Sequence, residues 1–200
     1  MDFSARFGID FDNTIVDYSS LFLEAAAEAG FAPVTAGGEK NAVRDHIRSK
    51  QGEAAWQLLQ AQIYGPSIQR AVPYAGFMEF LERARQRSAT VSIVSHKSMY
   101  AAAAPSGPNL HETARAWIKA QNIAVGGVHF ELSRAAKLRR ISELRCTHFI
   151  DDLPEVLEDP DFPAGVARIL FAPGGVTAAY PYAVYTNWYE LADELVSAAV

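Results

Sequence analysis

Two apolar runs in this chain end in paired carboxylates, and no other feature constrains the fold as much. The first, residues 7–11, leads into Ile9-Asp10-Phe11-Asp12-Asn13-Thr14, and the second ends as Phe149-Ile150-Asp151-Asp152. Short apolar runs followed by turn signals read as buried strands. Acidic side chains delivered by two such strands belong at one edge of a parallel sheet, where open α/β sheets bind ligands. A cluster of this kind is costly unless a cation neutralises it, and closely spaced carboxylate oxygens are what Mg2+ takes.

Beyond these runs the chain alternates strand-like and helix-like segments. Residues 90–95, 147–150, 167–171 and 183–185 predict strands, and residues 73–87, 110–121, 133–144 and 188–199 predict helices. Segment 73–87 is amphipathic, with Phe77, Phe80, Leu81 and Ala84 on one face. Ser133 stands where the helix after it needs an N-cap. Strands separated by helices imply parallel crossovers and a sheet covered on both faces. Residues 18–71 break the rhythm, with helical stretches at 18–29, 39–50 and 53–63 and no convincing strand. The expected organisation is an α/β core of residues 1–17 and 72–200, with a helical subdomain of residues 18–71 inserted after the first strand.

Two hundred residues, half of them hydrophobic, suffice for one such domain with a small insertion. The net charge of −5 and the lack of a Lys/Arg-dense patch argue against nucleic acid as a partner. Residues 134–145 are the densest basic stretch and read as a solvated helix face. No apolar run approaches the ~18 residues that a membrane span needs, and no signal pattern is visible. A cytoplasmic, soluble protein is expected, with no protein partner implied. Cys146 is the one cysteine, so neither a disulfide framework nor a cysteine metal site is available.

On a regular strand Asp10 and Asp12 would share a face, and Asn13-Thr14 supports a turn because Asn tolerates the left-handed region. Taken alone, Asp-x-Asp is a weak signal and better suits a surface turn. Without Asp10 and Asp12, Asp151-Asp152 before Leu153-Pro154-Glu155 better suits a helix N-terminus, where the dipole favours acids. Their company changes the reading. Ser95 ends the strand-like run 91–95, and Lys137 lies on the helix before the run that ends in Asp151. Hydroxyl, ammonium and carboxylates all fall at or beside the C-terminal ends of strands.

In this order, Asp10-Phe11-Asp12-Asn13-Thr14, Ser95, Lys137 and Asp151-Asp152 resemble the four motifs of the haloacid dehalogenase-like (HAD) superfamily. The resemblance spans nearly the whole chain outside the inserted helices, with Asn13 in place of a glycine common there. It implies a Rossmann-like three-layer core with a central parallel sheet, a small helical cap of the C1 type, a Mg2+ ion and an aspartyl-phosphate intermediate. Asp10 would be the nucleophile and a metal ligand. Asp12 would act as acid and then base, with its backbone carbonyl on the metal. Asp152 would ligate the metal directly, and Asp151 directly or through water. Ser95 would bond a phosphate oxygen, and Lys137 would bridge that phosphate and Asp10. Lys97 is the alternative phosphate lysine, although the place of Lys137 upstream of the fourth motif favours Lys137. The charges suit the chemistry. Two unit negative charges ~4 Å apart repel by ~4 kcal/mol at an effective dielectric of 20, and Mg2+ with one ammonium offsets that.

The expected function is a Mg2+-dependent phosphatase acting on a small phosphorylated metabolite. The alternatives are a phosphomutase on the same core and a non-catalytic binding protein that retains the fold. Dehalogenases of the superfamily do not use the second carboxylate as an acid, so Asp12 weighs against one. In the inserted segment, Arg44, Trp56 and Tyr64 are candidates for substrate contact, in competition with simple internal packing.

Overall fold

The computed structural model describes residues 4–28 and 40–197. In chain order the elements are β1 (Arg6–Ile9), β2 (Val16–Asp17), α1 (Ser19–Glu28), α2 (Lys40–Gln51), α3 (Glu53–Tyr64), a 3-10 turn (Pro66–Arg70), β3 (Val72–Pro73) and α4 (Phe77–Gln86). They continue as β4 (Thr90–His96), α5 (Leu110–Ala120), β5 (Gly127–Glu131), α6 (Arg134–Glu143), β6 (His148–Asp151), α7 (Pro154–Leu157), β7 (Ala167–Phe171), β8 (Ala183–Tyr185) and α8 (Trp188–Leu195). The end expected for the first helix at 29, the start expected for the second at 39 and the last two residues of the terminal helix lie outside the described residues.

Six strands form one parallel sheet in the order β5-β4-β1-β6-β7-β8. Numbered along the chain within this sheet, the order is 3-2-1-4-5-6, the Rossmann arrangement. The direction reverses beside β1, so the gap between the ends of β1 and β6 is the topological switch point. Helices cover both faces. On one face Phe7 meets Phe80 of α4 at 5.2 Å, and Phe77 and Phe80 each meet Trp188 of α8 at 5.0 Å. On the other, Leu138 and Ile141 of α6 and Val156 and Leu157 of α7 enclose Phe149 and Cys146.

Strand alternation carries this layering to the sheet's edge. Phe7 and Ile9 face α4 and α8, so Gly8 and Asp10 face α6 and α7. β1 and β6 pair Gly8↔Phe149 and Ile9↔Ile150, which puts Phe149 and Asp151 on that same second face. Gly8 is required by this contact. A Cβ there would lie 2.7 Å from the Phe149 ring and 2.9 Å from the Cys146 sulfur. Gly8→Ala is therefore expected to destabilise the protein by about 1–3 kcal/mol, read as a lower urea midpoint.

Three features differ from the sequence expectation. β5 was not anticipated: Gly-Val-His-Phe-Glu has one fully buried residue, because an edge strand need not be apolar on both sides. The helix expected from residue 73 begins at Phe77, because Pro73 pairs in β3 and the Tyr74 N–H donates to the Ile15 carbonyl at 2.9 Å. The third concerns the division of the chain.

Two compact units are present. The first holds the chain up to Val16, Pro73–Lys97 and the chain from Asn122, and so contains the six-stranded sheet. The second holds Asp17–Val72 together with Ser98–Gln121, a segment that linear order had assigned to the core. The apolar face of α5 explains this. Trp117 is buried and its indole N–H donates to the Ala71 carbonyl at 2.9 Å, beside the 3-10 turn. Within this unit Trp56 stacks on Phe22 at 5.3 Å, and Tyr18 meets Tyr64 edge-on at 4.9 Å. No helix among the described residues is long and apolar enough to cross a membrane.

Candidate active site

The first unit brings four aspartates and two lysines together at the C-terminal edge of its sheet. Asp10 follows β1, and its N–H donates to the Ile150 carbonyl at 2.9 Å, extending the β1–β6 ladder by one step. The chain then turns sharply. Ile15 and Val16 both donate to the Phe11 carbonyl at 3.1 Å, and Asn13 takes φ 61°, the left-handed region that Asn tolerates. The Trp188 indole N–H donates to the Thr14 carbonyl at 3.0 Å and pins the turn from α8. Nothing in the sequence marks Trp188 for that task.

Lys137 reaches the site from α6, whose first turn is capped by the Ser133 hydroxyl accepting from the Ala136 N–H at 3.1 Å. Its Nζ lies 2.6 Å from Asp10 Oδ1 and 2.6 Å from Asp151 Oδ2, and the residue is 2% exposed. Burial alone would lower its pKa. The Asp10 and Asp151 carboxylates outweigh burial and hold it above the ordinary lysine value. Asp151 is fully buried; burial pushes its carboxyl up, and Asp10 adds to that against the pull of Lys137. Its other oxygen accepts from the Leu153 N–H at 3.0 Å. One ammonium thus ties together the two carboxylates that strand alternation placed on one face.

Asp152 is half-buried, and Thr14 Oγ1 donates to its Oδ1 at 3.4 Å. Asp10, Asp151 and Asp152 each present a carboxylate oxygen within 4.8 Å of the others. Three carboxylates against one ammonium leave two negative charges, and the donors are hard oxygens. A divalent cation fits both the charge and the donor set. The Asp12 carboxylate is turned elsewhere. Lys97 Nζ approaches both its oxygens, at 3.0 and 2.7 Å. The two lysines that sequence offered as rivals are therefore both present, on different aspartates.

The remaining candidates fall as follows. Ser95 is buried in β4, one residue before its last, and the hydrogen bonds between Lys137 and its two aspartates do not involve it. Arg44 of the second unit pairs with Asp45 at 2.8 Å. Trp56 is 2% exposed, so its ring packs that unit's interior and is not presented to a ligand. Tyr64 is half-buried and, with Gln57, Gln60, Ser98 and Leu110, lines a cleft of about 280 Å3 within the same unit.

No family model matches the chain, and no curated protein matches it. Solved structures do. A HAD-superfamily hydrolase from Ehrlichia chaffeensis is 16% identical, with a TM-score of 0.55 over 96% of this chain and 95% of that one. YfnB from Bacillus subtilis, solved bound to magnesium, is 13% identical, with a TM-score of 0.61 over 96% and 98%. A dehalogenase is 14% identical, with a TM-score of 0.62 over 98% and 99%. At such identities the likeness is one of fold. The chain has the HAD-like α/β fold, with an aspartate cluster at the ends of β1 and β6.

Proposed function

We propose that this protein is a Mg2+-dependent phosphatase that hydrolyses a small phosphorylated metabolite through an aspartyl-phosphate. The observation that carries the reading is the placement of Asp10. It stands at the switch point, 2.6 Å from a buried ammonium, beside two more carboxylates that can share a cation. Asp12 follows two residues on, with its carboxyl held apart from that cluster by Lys97.

The chain's own residues account for the steps. An Asp10 carboxylate oxygen attacks phosphorus, and the bond from phosphorus to the leaving oxygen breaks. That oxygen keeps the electron pair and takes a proton from Asp12. Water then attacks phosphorus and passes its proton to Asp12. The bond from phosphorus to Asp10 breaks, releasing inorganic phosphate and restoring the Asp10 carboxylate. Lys137 offsets the negative charge of Asp10 as the phosphate approaches, and Ser95 supplies a hydroxyl to a phosphate oxygen. Asp10, Asp151 and Asp152 would hold Mg2+, which when bound would supply the remaining positive charge. A halide leaves as an anion and takes no proton, so in a dehalogenase Asp12 would have no such task.

Phosphate release from sugar phosphates, nucleotides and phospho-acids, with Mg2+ and with EDTA, tests the reading. Turnover of one class that EDTA abolishes is the expected result. Mg2+ binding without turnover of any class would favour a mutase or a binding role.

A further inference from the structure

We propose that Lys97 is the positioning residue for Asp12: it aims the carboxyl that exchanges protons with the leaving group and water, and does not bind the phosphate. This rests on the phosphatase reading above.

The contact is two-pronged. Lys97 Nζ lies 3.0 and 2.7 Å from the two Asp12 oxygens, which fixes the plane of the carboxyl as well as its place. Lys97 is 4% exposed, so its ammonium has given up water, a state held only by a well-placed anion. The rest of the residue is anchored. Its N–H donates to the Glu131 carbonyl at 2.9 Å, just beyond the β4–β5 pair His96↔Glu131. Its ammonium lies 5.5 Å from the centre of the Phe11 ring, which Phe130 braces edge-on at 5.4 Å. Phe11 and Asp12 are neighbours on the turn after β1, so the same short stretch supplies both the ring and the carboxylate that Lys97 meets. A proton donor misplaced by about 1 Å can cost about 10²-fold in rate, which is the scale of what such anchoring protects. The site then gives each working aspartate a lysine from a different element: Lys137 of α6 for Asp10, and the residue after β4 for Asp12.

The test separates aiming from phosphate binding by the leaving group. An alkoxide needs a proton to depart, whereas 4-nitrophenolate leaves as a stable anion. The comparison uses kcat/KM, which covers only the steps up to that departure. Lys97→Met is expected to lose about 10²-fold on an alkyl phosphate and to stay within about threefold on 4-nitrophenyl phosphate. Inhibition by inorganic phosphate should be unchanged, and Lys97→Arg should recover most of the alkyl activity. Equal losses on both esters with weakened phosphate inhibition would assign Lys97 to the phosphate and overturn the proposal. The pairing is checked independently by thermal melts of Lys97→Met, Asp12→Asn and the double variant. Here the double variant should lose no more than the worse single one, and additive losses would refute the pairing. Should the unsubstituted protein hydrolyse neither ester nor any member of the phosphate panel above, the phosphatase reading fails and the aiming role with it, while the melts still decide the pairing.

Discussion

Asp10→Asn is expected to lose about 10⁴-fold or more in turnover while the protein stays folded. Asparagine matches aspartate in shape and keeps an oxygen for Lys137, but its amide is a very poor nucleophile. The fold should tolerate the change because Lys137 retains its 2.6 Å contact with Asp151, and because the backbone of residue 10 keeps its bond to Ile150. Removing one of two carboxylates that repel each other around a single ammonium also relieves charge. Phosphate release under single-turnover conditions, beside a melting curve, reads both parts. A variant as active as the unsubstituted protein would remove Asp10 from the role of nucleophile.

Lys137→Met is expected to be the most damaging single change to stability. It fills the same space but leaves the buried Asp10 and Asp151 carboxylates facing each other without a cation. Breaking a buried ion pair from one side typically costs about 3–5 kcal/mol. For a chain of this length that is a fall in Tm of roughly 6–20 °C. The loss should also depend on pH, with a definite sign. The Asp151 carboxyl already lies above its ordinary 3.8, at about 6, and without Lys137 it moves higher. A carboxyl raised in the folded state holds a proton that the unfolded chain releases, so acid favours folding. The deficit of Lys137→Met should therefore shrink as pH falls from about 8 toward about 6 and level off below, where Asp151 of the unsubstituted protein takes up the same proton. A deficit that is constant over this range would show that Lys137 contributes packing and not charge.

Some of this was legible residue by residue. β1, β4 and β6 are central strands covered by helices on both faces, and such strands read as nearly continuous apolar runs. Their polar endings, Asp10, Ser95 and Asp151, therefore stand out against them. The turn after β1 was also legible, because Asn13 is among the few residues that accept φ near +61° cheaply. β5 was not, since an edge strand with a glycine, a histidine and a glutamate lacks the apolar run that marks a central one. Trp56 illustrates a different limit. An aromatic residue at helical spacing looks the same whether it faces a ligand or a neighbouring helix, and here it stacks on Phe22.

From the sequence alone, then, came the strands that end in carboxylates and the order in which they occur, because burial and backbone geometry act on short stretches of chain. Tertiary structure alone decided which lysine serves which aspartate, and that residues 98–121 join the second unit. Both depend on distances between residues far apart in the chain. Lys97 and Lys137 carry the same charge on the same flexible stem, and either could serve Asp10 as far as composition shows. Lys137 takes Asp10 and Asp151 because strand alternation turns both toward α6, and Lys97 takes Asp12 because the β4–β5 ladder ends beside the turn.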